Sequence, residues 1–304
     1  MMRTTFAFPF VALLAASAAA PARAPAALDS DLAATAAAAR PGRLGAAVED
    51  VATGRVWAVA GDERFAMQSV FKLPLAIALL SKVDKKELSL QRRLVLRAAD
   101  MRPGSGPIDR LGGGRSRIFT VGALLEAMLV DSDNSAAEGL LPLAGGPAGV
   151  TGFLRLHGLA GIRIDRGEPP PPGPRRAAGP LPDPDDPRDT ATPRAAIRLL
   201  DALAKGRLLS KASTTTVLGL MERSRTGVAR LKAGLPPGSR IAHKTGSSGT
   251  SHGVNLATND IGIVTLPSGR KLLVAAFLKG STAGPEQREA VLAAVARAAV
   301  SAVD

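Results

Sequence analysis

Cysteine and tyrosine are both absent from the 304-residue sequence, and aromatic residues make up only 3% of it. Without cysteine the chain has no disulfide, no thiol nucleophile, no cysteine-linked lipid anchor and no cysteine-ligated metal. The three histidines (His157, His243 and His252) form neither H-x-x-x-H nor H-E-x-x-H, so the sequence predicts no metal centre and no cofactor. The net charge is +13, but the scarcity of aromatic stacking platforms argues against nucleic acid as a partner.

Long apolar runs are also missing, since no segment after the N-terminus reaches about 18 uninterrupted apolar residues. Residues 1–24 combine Arg3, a short apolar run and the small-residue stretch Ala22-Arg23-Ala24, the pattern of a secretory signal peptide cleaved near Ala24. We therefore expect export to the periplasm, no membrane attachment after cleavage and a monomeric mature protein. Hydrophobic residues make up 46% of the chain, enough for a sizeable core.

Strand-like segments lie near both ends of the chain, and helical spacing fills the middle. A helix capped near Asp29 or Ser30 is followed by a hairpin around the turn ATGR. From Phe65 to about Thr214 the apolar spacing is mostly helical. After Arg240 the strand pattern returns as a second hairpin, and an amphipathic helix closes the chain.

This order predicts an α/β (α+β) fold with an antiparallel sheet built from both chain ends, flanked by the terminal helices. Residues 25–64 and 214–304 are assigned to the α/β domain. Residues 65–213 form an inserted all-α domain. That domain carries the loop of Glu168, at about 162–193.

The apolar run Met67–Leu80 contains a serine and a lysine three residues apart, Ser69 and Lys72, which share one face of a helix. Burying an amine costs several kcal/mol unless it is paired or loses its proton, and a serine needs such a neighbour to become a nucleophile. The alternative is that Ser69 caps the helix and that the Lys72 ammonium reaches solvent. The same spacing recurs at Ser268 and Lys271 in a turn-like segment, so the pattern alone decides nothing.

Three further short runs carry candidate chemistry. S-D-N at 132–134 lies between two helical segments, Glu168 precedes a proline run, and K-T-G at 244–246 ends a predicted strand. Each is weak alone, because a helix cap, a solvated charge and an edge strand explain them equally well. S-x-x-K, S-D-N and K-T-G in this order, however, are the motif set of class A β-lactamases and penicillin-binding proteins.

On these motifs the chain resembles a class A serine β-lactamase over essentially its whole mature length. The segments RDTATP and AHKTGSSGTSHGVNLATNDIGIVTLPSGR extend the similarity beyond the three motifs. The resemblance implies a β-lactamase/transpeptidase-like fold. It also implies hydrolysis of the β-lactam ring of penicillins and cephalosporins through a Ser69 acyl-enzyme, with water as the second substrate and antibiotic resistance as the result.

The resemblance also implies a role for each matching residue. Ser69 is the nucleophile, Lys72 or Glu168 is the base that activates it, and Glu168 activates the water that later releases the product. Ser132 passes a proton to the lactam nitrogen, and the backbone N–H groups of Ser69 and Ser247 form the oxyanion hole. Substrate contacts are implied for Asn134, Arg230, Lys244, Thr245, Gly246 and Ser247.

The loop around Glu168 departs from the family pattern. Residues 168–187 hold nine of the 23 prolines, and no asparagine follows the glutamate before Asp189. An ion pair between Arg166 and Asp189 is expected to pin the two ends of this loop. Two alternatives remain: a D-alanyl-D-alanine peptidase or penicillin-binding protein, which needs no glutamate loop, and a protein that traps β-lactams or peptidoglycan fragments without turnover.

Overall fold

The computed structural model describes Met1 and residues 26–104, 106–111, 115–168 and 183–303. Most of the predicted signal segment and the run Pro169–Pro172 therefore lie outside the described residues. Within the described part of the chain, no helix is long and apolar enough to cross a membrane.

The described residues form helices and strands in an order that matches the prediction of β-rich chain ends around a helical middle. The α-helices are α1 (Ala26–Ala38), α2 (Lys72–Asp84), α3 (Val121–Val130), α4 (Asn134–Leu140), α5 (Gly146–Leu156), α6 (Pro193–Ala204), α7 (Lys211–Glu222) and α8 (Pro285–Ser301). The strands are β1 (Arg43–Asp50), β2 (Arg55–Val59), β3 (Phe65–Ala66), β4 (Arg93–Leu96), β5 (Arg117–Thr120), β6 (Thr190–Ala191), β7 (Arg240–Ser247), β8 (Thr250–Ser251), β9 (Val254–Asn255), β10 (Thr258–Thr265) and β11 (Lys271–Lys279).

Five strands form one antiparallel sheet in the order β2-β1-β11-β10-β7. Successive side chains of a strand point to opposite faces, and here both faces are covered. On one face of β11, Val274 and the residues at every second position from it pack with α1 and α8. On the other face, Phe277 and the residues at every second position from it pack with the helical part. Burial on both faces explains why β10 and β11 are almost continuously apolar, and the predicted sheet built from both chain ends is confirmed.

Helix α2 runs through the centre of the helical part, against α3, α5 and α7. Its side chains from Lys72 to Ser81 are all buried, which accounts for the unbroken apolar sequence of this helix. The 3₁₀ turn Gln68–Phe71 leads into α2 and contacts β7. The fold thereby places the serine and lysine of the first motif where the helical part meets the edge strand of the sheet.

Two details differ from the sequence prediction. Helix α1 begins at Ala26, so the cap predicted at Asp29 or Ser30 is wrong and Asp29 lies in the first turn. A carboxylate is favourable near a helix N-terminus in either position, so its presence does not fix the first residue. The predicted all-α region also contains two short ladders, β3 with β6 and β4 with β5.

Candidate active site

Hydrogen bonds from the sheet fix the position of the turn that carries Ser69. The side chain of Asn259 on β10 donates to the Ala66 carbonyl at 2.8 Å and to the Met67 carbonyl at 3.1 Å. A Cβ at Gly246 would lie only 2.2 Å from the same Met67 oxygen, so only glycine lets β7 approach this closely. The third residue of K-T-G is therefore a packing requirement of the Ser69 turn.

Lys72 lies at the centre of the site and is fully buried. Its Nζ lies 3.1 Å from Ser69 Oγ, 2.7 Å from the Ser132 carbonyl and 2.9 Å from Glu168 Oε1, and it also bonds Asn134 Oδ1. Burial lowers the pKa of Lys72, and the negative charge of Glu168 opposes that shift. An ammonium can donate only three protons, so they are shared among four oxygen atoms.

Ser132 lies between two buried lysines. Its Oγ accepts a hydrogen bond from Lys244 Nζ at 2.9 Å and lies 3.5 Å from Lys72 Nζ. Burial, reinforced by the positive charge of Lys72, holds the pKa of Lys244 well below its ordinary value. The backbone of Ser132 is left-handed, with φ +59°, which is costly for a residue with a side chain and is typical of functional sites.

The S-D-N segment is fixed by two carboxylates. Buried Asp133 caps α4 by accepting from the Ala136 N–H at 2.8 Å, and it also accepts from the Ile108 N–H at 2.7 Å. Asp109 accepts from the Asn134 N–H at 3.1 Å. Burial removes the Asp133 carboxylate from water and thereby raises its pKa.

The opposite wall of the cleft is formed by the end of β7, the edge strand of the sheet. Thr245 Oγ1 and Thr226 Oγ1 share a hydrogen bond of 2.7 Å. Arg230 reaches the same wall, donating from Nη2 to Ser247 Oγ at 2.7 Å and from Nη1 to the Asn259 carbonyl at 2.9 Å. A cationic and hydroxyl-rich wall of this kind suits a substrate carboxylate.

Glu168 lies on the other side of Lys72, with a side chain that is 11% exposed. The loop that carries it is pinned at its base, where Arg166 Nε lies 2.5 Å from Asp189 Oδ2. Asp189 also accepts from the Asp165 N–H at 2.7 Å, and Asp165 accepts from the Asp189 N–H at 2.9 Å. These reciprocal bonds close the base of the loop.

A cleft of about 320 Å³ brings six of the predicted residues together: Ser69, Ser132, Asn134, Arg230, Thr245 and Ser247. Lys72 and Lys244 lie fully buried beneath it. Residues 27–303 of the chain match the beta-lactamase enzyme family. The chain belongs to this family.

Individual β-lactamases extend the similarity over almost the whole chain. Beta-lactamase L2 of Stenotrophomonas maltophilia is 37% identical over 299 residues, which span 97% of this chain and 93% of that protein. A β-lactamase from Chitinophaga pinensis has a TM-score of 0.80 at 33% identity, covering 89% of this chain and 97% of that one. The class A β-lactamase of the last common ancestor of Gram-negative bacteria has a TM-score of 0.79 at 39% identity, covering 91% of this chain and 100% of that one. The predicted family, fold and enzyme class are confirmed: this is a class A serine β-lactamase, which opens the β-lactam ring and confers antibiotic resistance.

Several residues of this β-lactamase site carry no signal in the sequence. Asp109 and Thr226 lie far along the chain from the residues that they contact, and neither belongs to a recognisable motif. Asn259 stands in the quoted TNDIGIVTLP stretch, but its hold on the Ser69 turn is visible only in three dimensions.

Proposed function

We propose that the chain hydrolyses β-lactams through an acyl-enzyme on Ser69, with Lys72, Ser132 and Glu168 moving the protons. One observation carries this proposal: buried Lys72 Nζ lies 3.1 Å from Ser69 Oγ and 2.9 Å from Glu168 Oε1. A nucleophile, an amine with a lowered pKa and a carboxylate in direct contact are the groups that general base catalysis of acyl transfer needs.

Acylation begins when Ser69 Oγ attacks the lactam carbonyl carbon and loses its proton to Lys72, or through a water to Glu168. The C–N bond of the ring then breaks, and the nitrogen takes the hydroxyl proton of Ser132. Ser132 regains a proton from one of the two lysines beside it, Lys244 at 2.9 Å or Lys72 at 3.5 Å. The proton taken from Ser69 replaces the one that the lysine gives up, which leaves Glu168 ionised for the next stage. The backbone N–H groups of Ser69 and Ser247 stabilise the oxyanion, a contribution of about 10²–10³-fold per donor.

Substrate binding uses both walls of the cleft. Lys244, Thr245 and Arg230 hold the ring carboxylate, and the edge of β7 around Gly246 lies alongside the substrate. Asn134 binds the substrate's side-chain amide. This role agrees with the position of its side chain at the N-terminus of α4, where the amide already bonds Lys72.

Deacylation uses Glu168 as the base. The carboxylate takes a proton from water, the resulting hydroxide attacks the acyl carbonyl, and the ester bond to Ser69 Oγ breaks. The proton then returns to Ser69, and the opened product leaves. The contact of Glu168 with Lys72 favours hydrolysis over a D-alanyl-D-alanine peptidase, whose chemistry requires no such glutamate.

Turnover of a chromogenic cephalosporin, with mass mapping of the acyl adduct, tests this proposal. We expect repeated turnover by the wild-type chain, an adduct on Ser69 and loss of both in Ser69→Ala. An adduct on Ser268, or undiminished hydrolysis by Ser69→Ala, would contradict the assignment. One long-lived adduct per chain without turnover would identify a β-lactam trap instead.

We further propose that the mature protein is a monomer exported to the periplasm after cleavage near Ala24. The basic, apolar and small-residue pattern of residues 1–24 supports this localisation. We also propose that the chain divides into an α/β domain, residues 25–64 with 214–304, and an all-α domain, residues 65–213. N-terminal sequencing and size-exclusion chromatography of periplasmic material test the first two statements.

A further inference from the structure

The backbone of Glu168 forms hydrogen bonds with both members of one ion pair. Its N–H donates to Glu138 Oε2 at 3.0 Å, and its carbonyl accepts from Arg102 Nε at 3.2 Å. Arg102 Nη2 and Glu138 Oε1 are themselves 3.0 Å apart. Three short contacts thus join two charged side chains and one residue's backbone into a closed ring.

The two side chains are themselves held in place. The Nη1 of Arg102 donates to the carbonyls of Ala99 and Met101, at 3.0 and 3.2 Å, so the guanidinium is bonded on all its nitrogens. Its side chain is 13% exposed and that of Glu138 is 25% exposed. Glu138 lies four residues after Asn134 on α4, hence on the same face of the helix as a residue of the cleft.

A second observation shows how closely the loop fits this pair. A Cβ at Gly167 would lie 2.5 Å from Glu138 Oε2, closer than real side chains approach. A larger residue at position 167 would therefore displace the Glu138 carboxylate from its contact with the Glu168 N–H. The sequence before Glu168 is therefore adapted to the charged residue on α4.

Among the described residues, the Glu168 carboxylate has one close charged partner, Lys72 Nζ at 2.9 Å from Oε1. The direction of the carboxylate therefore also depends on the backbone from which it projects. Prolines, which lack an N–H, follow directly in the sequence, so that backbone must be fixed from outside the proline run.

We propose that Arg102 and Glu138 are a positioning pair that aims Glu168 for deacylation. This rests on the proposed role of Glu168 as the deacylating base. A base acts only within about 2.6–3.2 Å of the proton it removes, and a displacement of about 1 Å can cost up to 10²-fold in rate. Loosening the pair therefore slows release of the acyl group more than its formation.

Arg102→Ala and Glu138→Gln in the full-length protein test the pair. With a chromogenic cephalosporin we expect kcat to fall about 10- to 100-fold and KM to fall with it. Intact-protein mass spectrometry during turnover should show more acyl-enzyme than in the wild type. Glu138→Gln keeps the shape of the side chain, so it remains informative should Arg102→Ala fail to fold.

Matched controls separate positioning from general loss of charge. Arg223→Ala and Glu126→Gln each break the exposed ion pair between these two residues, which involves neither Arg102 nor Glu138, and should leave kcat, KM and acyl-enzyme level unchanged. Arg102→Lys keeps the charge but loses the planar fork, so an intermediate effect is expected. The double variant Arg102→Ala/Glu138→Gln should be no worse than the more impaired single variant.

Glu168→Gln is the reference that distinguishes the two hypotheses. If Glu168→Gln accumulates acyl-enzyme while folded Arg102→Ala and Glu138→Gln hold no more than wild type, the positioning pair is refuted and the proposed function stands. If Glu168→Gln itself turns over like wild type, the deacylating role of Glu168 is wrong.

Discussion

Arg230 offers a sharp test of the site because one of its side-chain nitrogens faces the cleft and the other two bond to the protein. Nη2 faces the cleft, 2.7 Å from Ser247 Oγ. Nη1 and Nε face the protein, bonding the Asn259 carbonyl at 2.9 Å and Glu289 at 3.0 Å. The change Arg230→Ala therefore removes a substrate contact and a structural one together.

The two losses can be sized separately. A charge-assisted hydrogen bond to the substrate carboxylate is worth about 1.5–3 kcal/mol, which is about 10- to 150-fold in kcat/KM. Because this contact exists before and during the reaction, the loss should appear mainly as a higher KM. Leaving the buried Asn259 carbonyl without its donor costs about 1–3 kcal/mol, and the part-exposed Glu289 pair adds about 0–1 kcal/mol.

The assay measures kcat and KM with a chromogenic cephalosporin, and urea unfolding gives the free energy of unfolding of the same sample. Glu289→Gln is the matched control, since it breaks the ion pair behind the strand and leaves Nη2 in place. It should lose at most about 1 kcal/mol of stability and no activity. A folded Arg230→Ala with kcat/KM within twofold of wild type, or an equal activity loss in Glu289→Gln, refutes the reasoning.

Two further predictions concern the loop and the buried lysines. Arg166→Ala removes the pair with Asp189 at the base of the loop, so acyl-enzyme should accumulate severalfold by mass spectrometry, though less than in Glu168→Gln; an unchanged level would mean that the loop base has no part in deacylation. Lys244→Met should raise the free energy of unfolding near neutral pH while reducing activity, because the variant no longer buries an amine whose charged form is disfavoured by burial and by Lys72. The folded-state pKa of Lys244 lies below that of an unfolded lysine, so between these two values the unfolded state binds more protons and wild-type stability rises with pH. Urea midpoints across that window should lose this rise in Lys244→Met, and a midpoint lower than wild type at neutral pH would contradict the prediction.

The parts of the site that could be predicted are those whose residues lie close together in the sequence. Ser69 and Lys72 are one helical turn apart, and K-T-G ends a strand bounded by turns, so spacing and motif order were enough to find them. The sheet was predictable for a similar reason, because each hairpin joins strands that are neighbours in the chain. The first residue of α1 was missed, since Asp29 is favourable both as a cap and inside the first turn.

The supports of the site were not predictable in this way. Arg102, Glu138 and Asp109 are charged residues in a chain that is 21% charged, and nothing in their neighbourhood distinguishes them from solvated surface groups. Arg102 meets Glu168, and Asp109 meets Asn134, only because distant loops converge on α4. Such contacts depend on tertiary packing, for which a single sequence offers no periodic or motif signal.

The position of β1 in the sheet bears on when the protein can fold. This early strand lies between β2 and β11, and it pairs Arg43 with Lys279 and Asp50 with Leu272. Until the last strand has been synthesised, β1 has an unpaired edge and the sheet has no centre. Completion of the sheet must therefore wait for nearly the whole chain, and contacts between such distant segments form slowly. During synthesis the five-stranded sheet thus stays incomplete until β11 has been made.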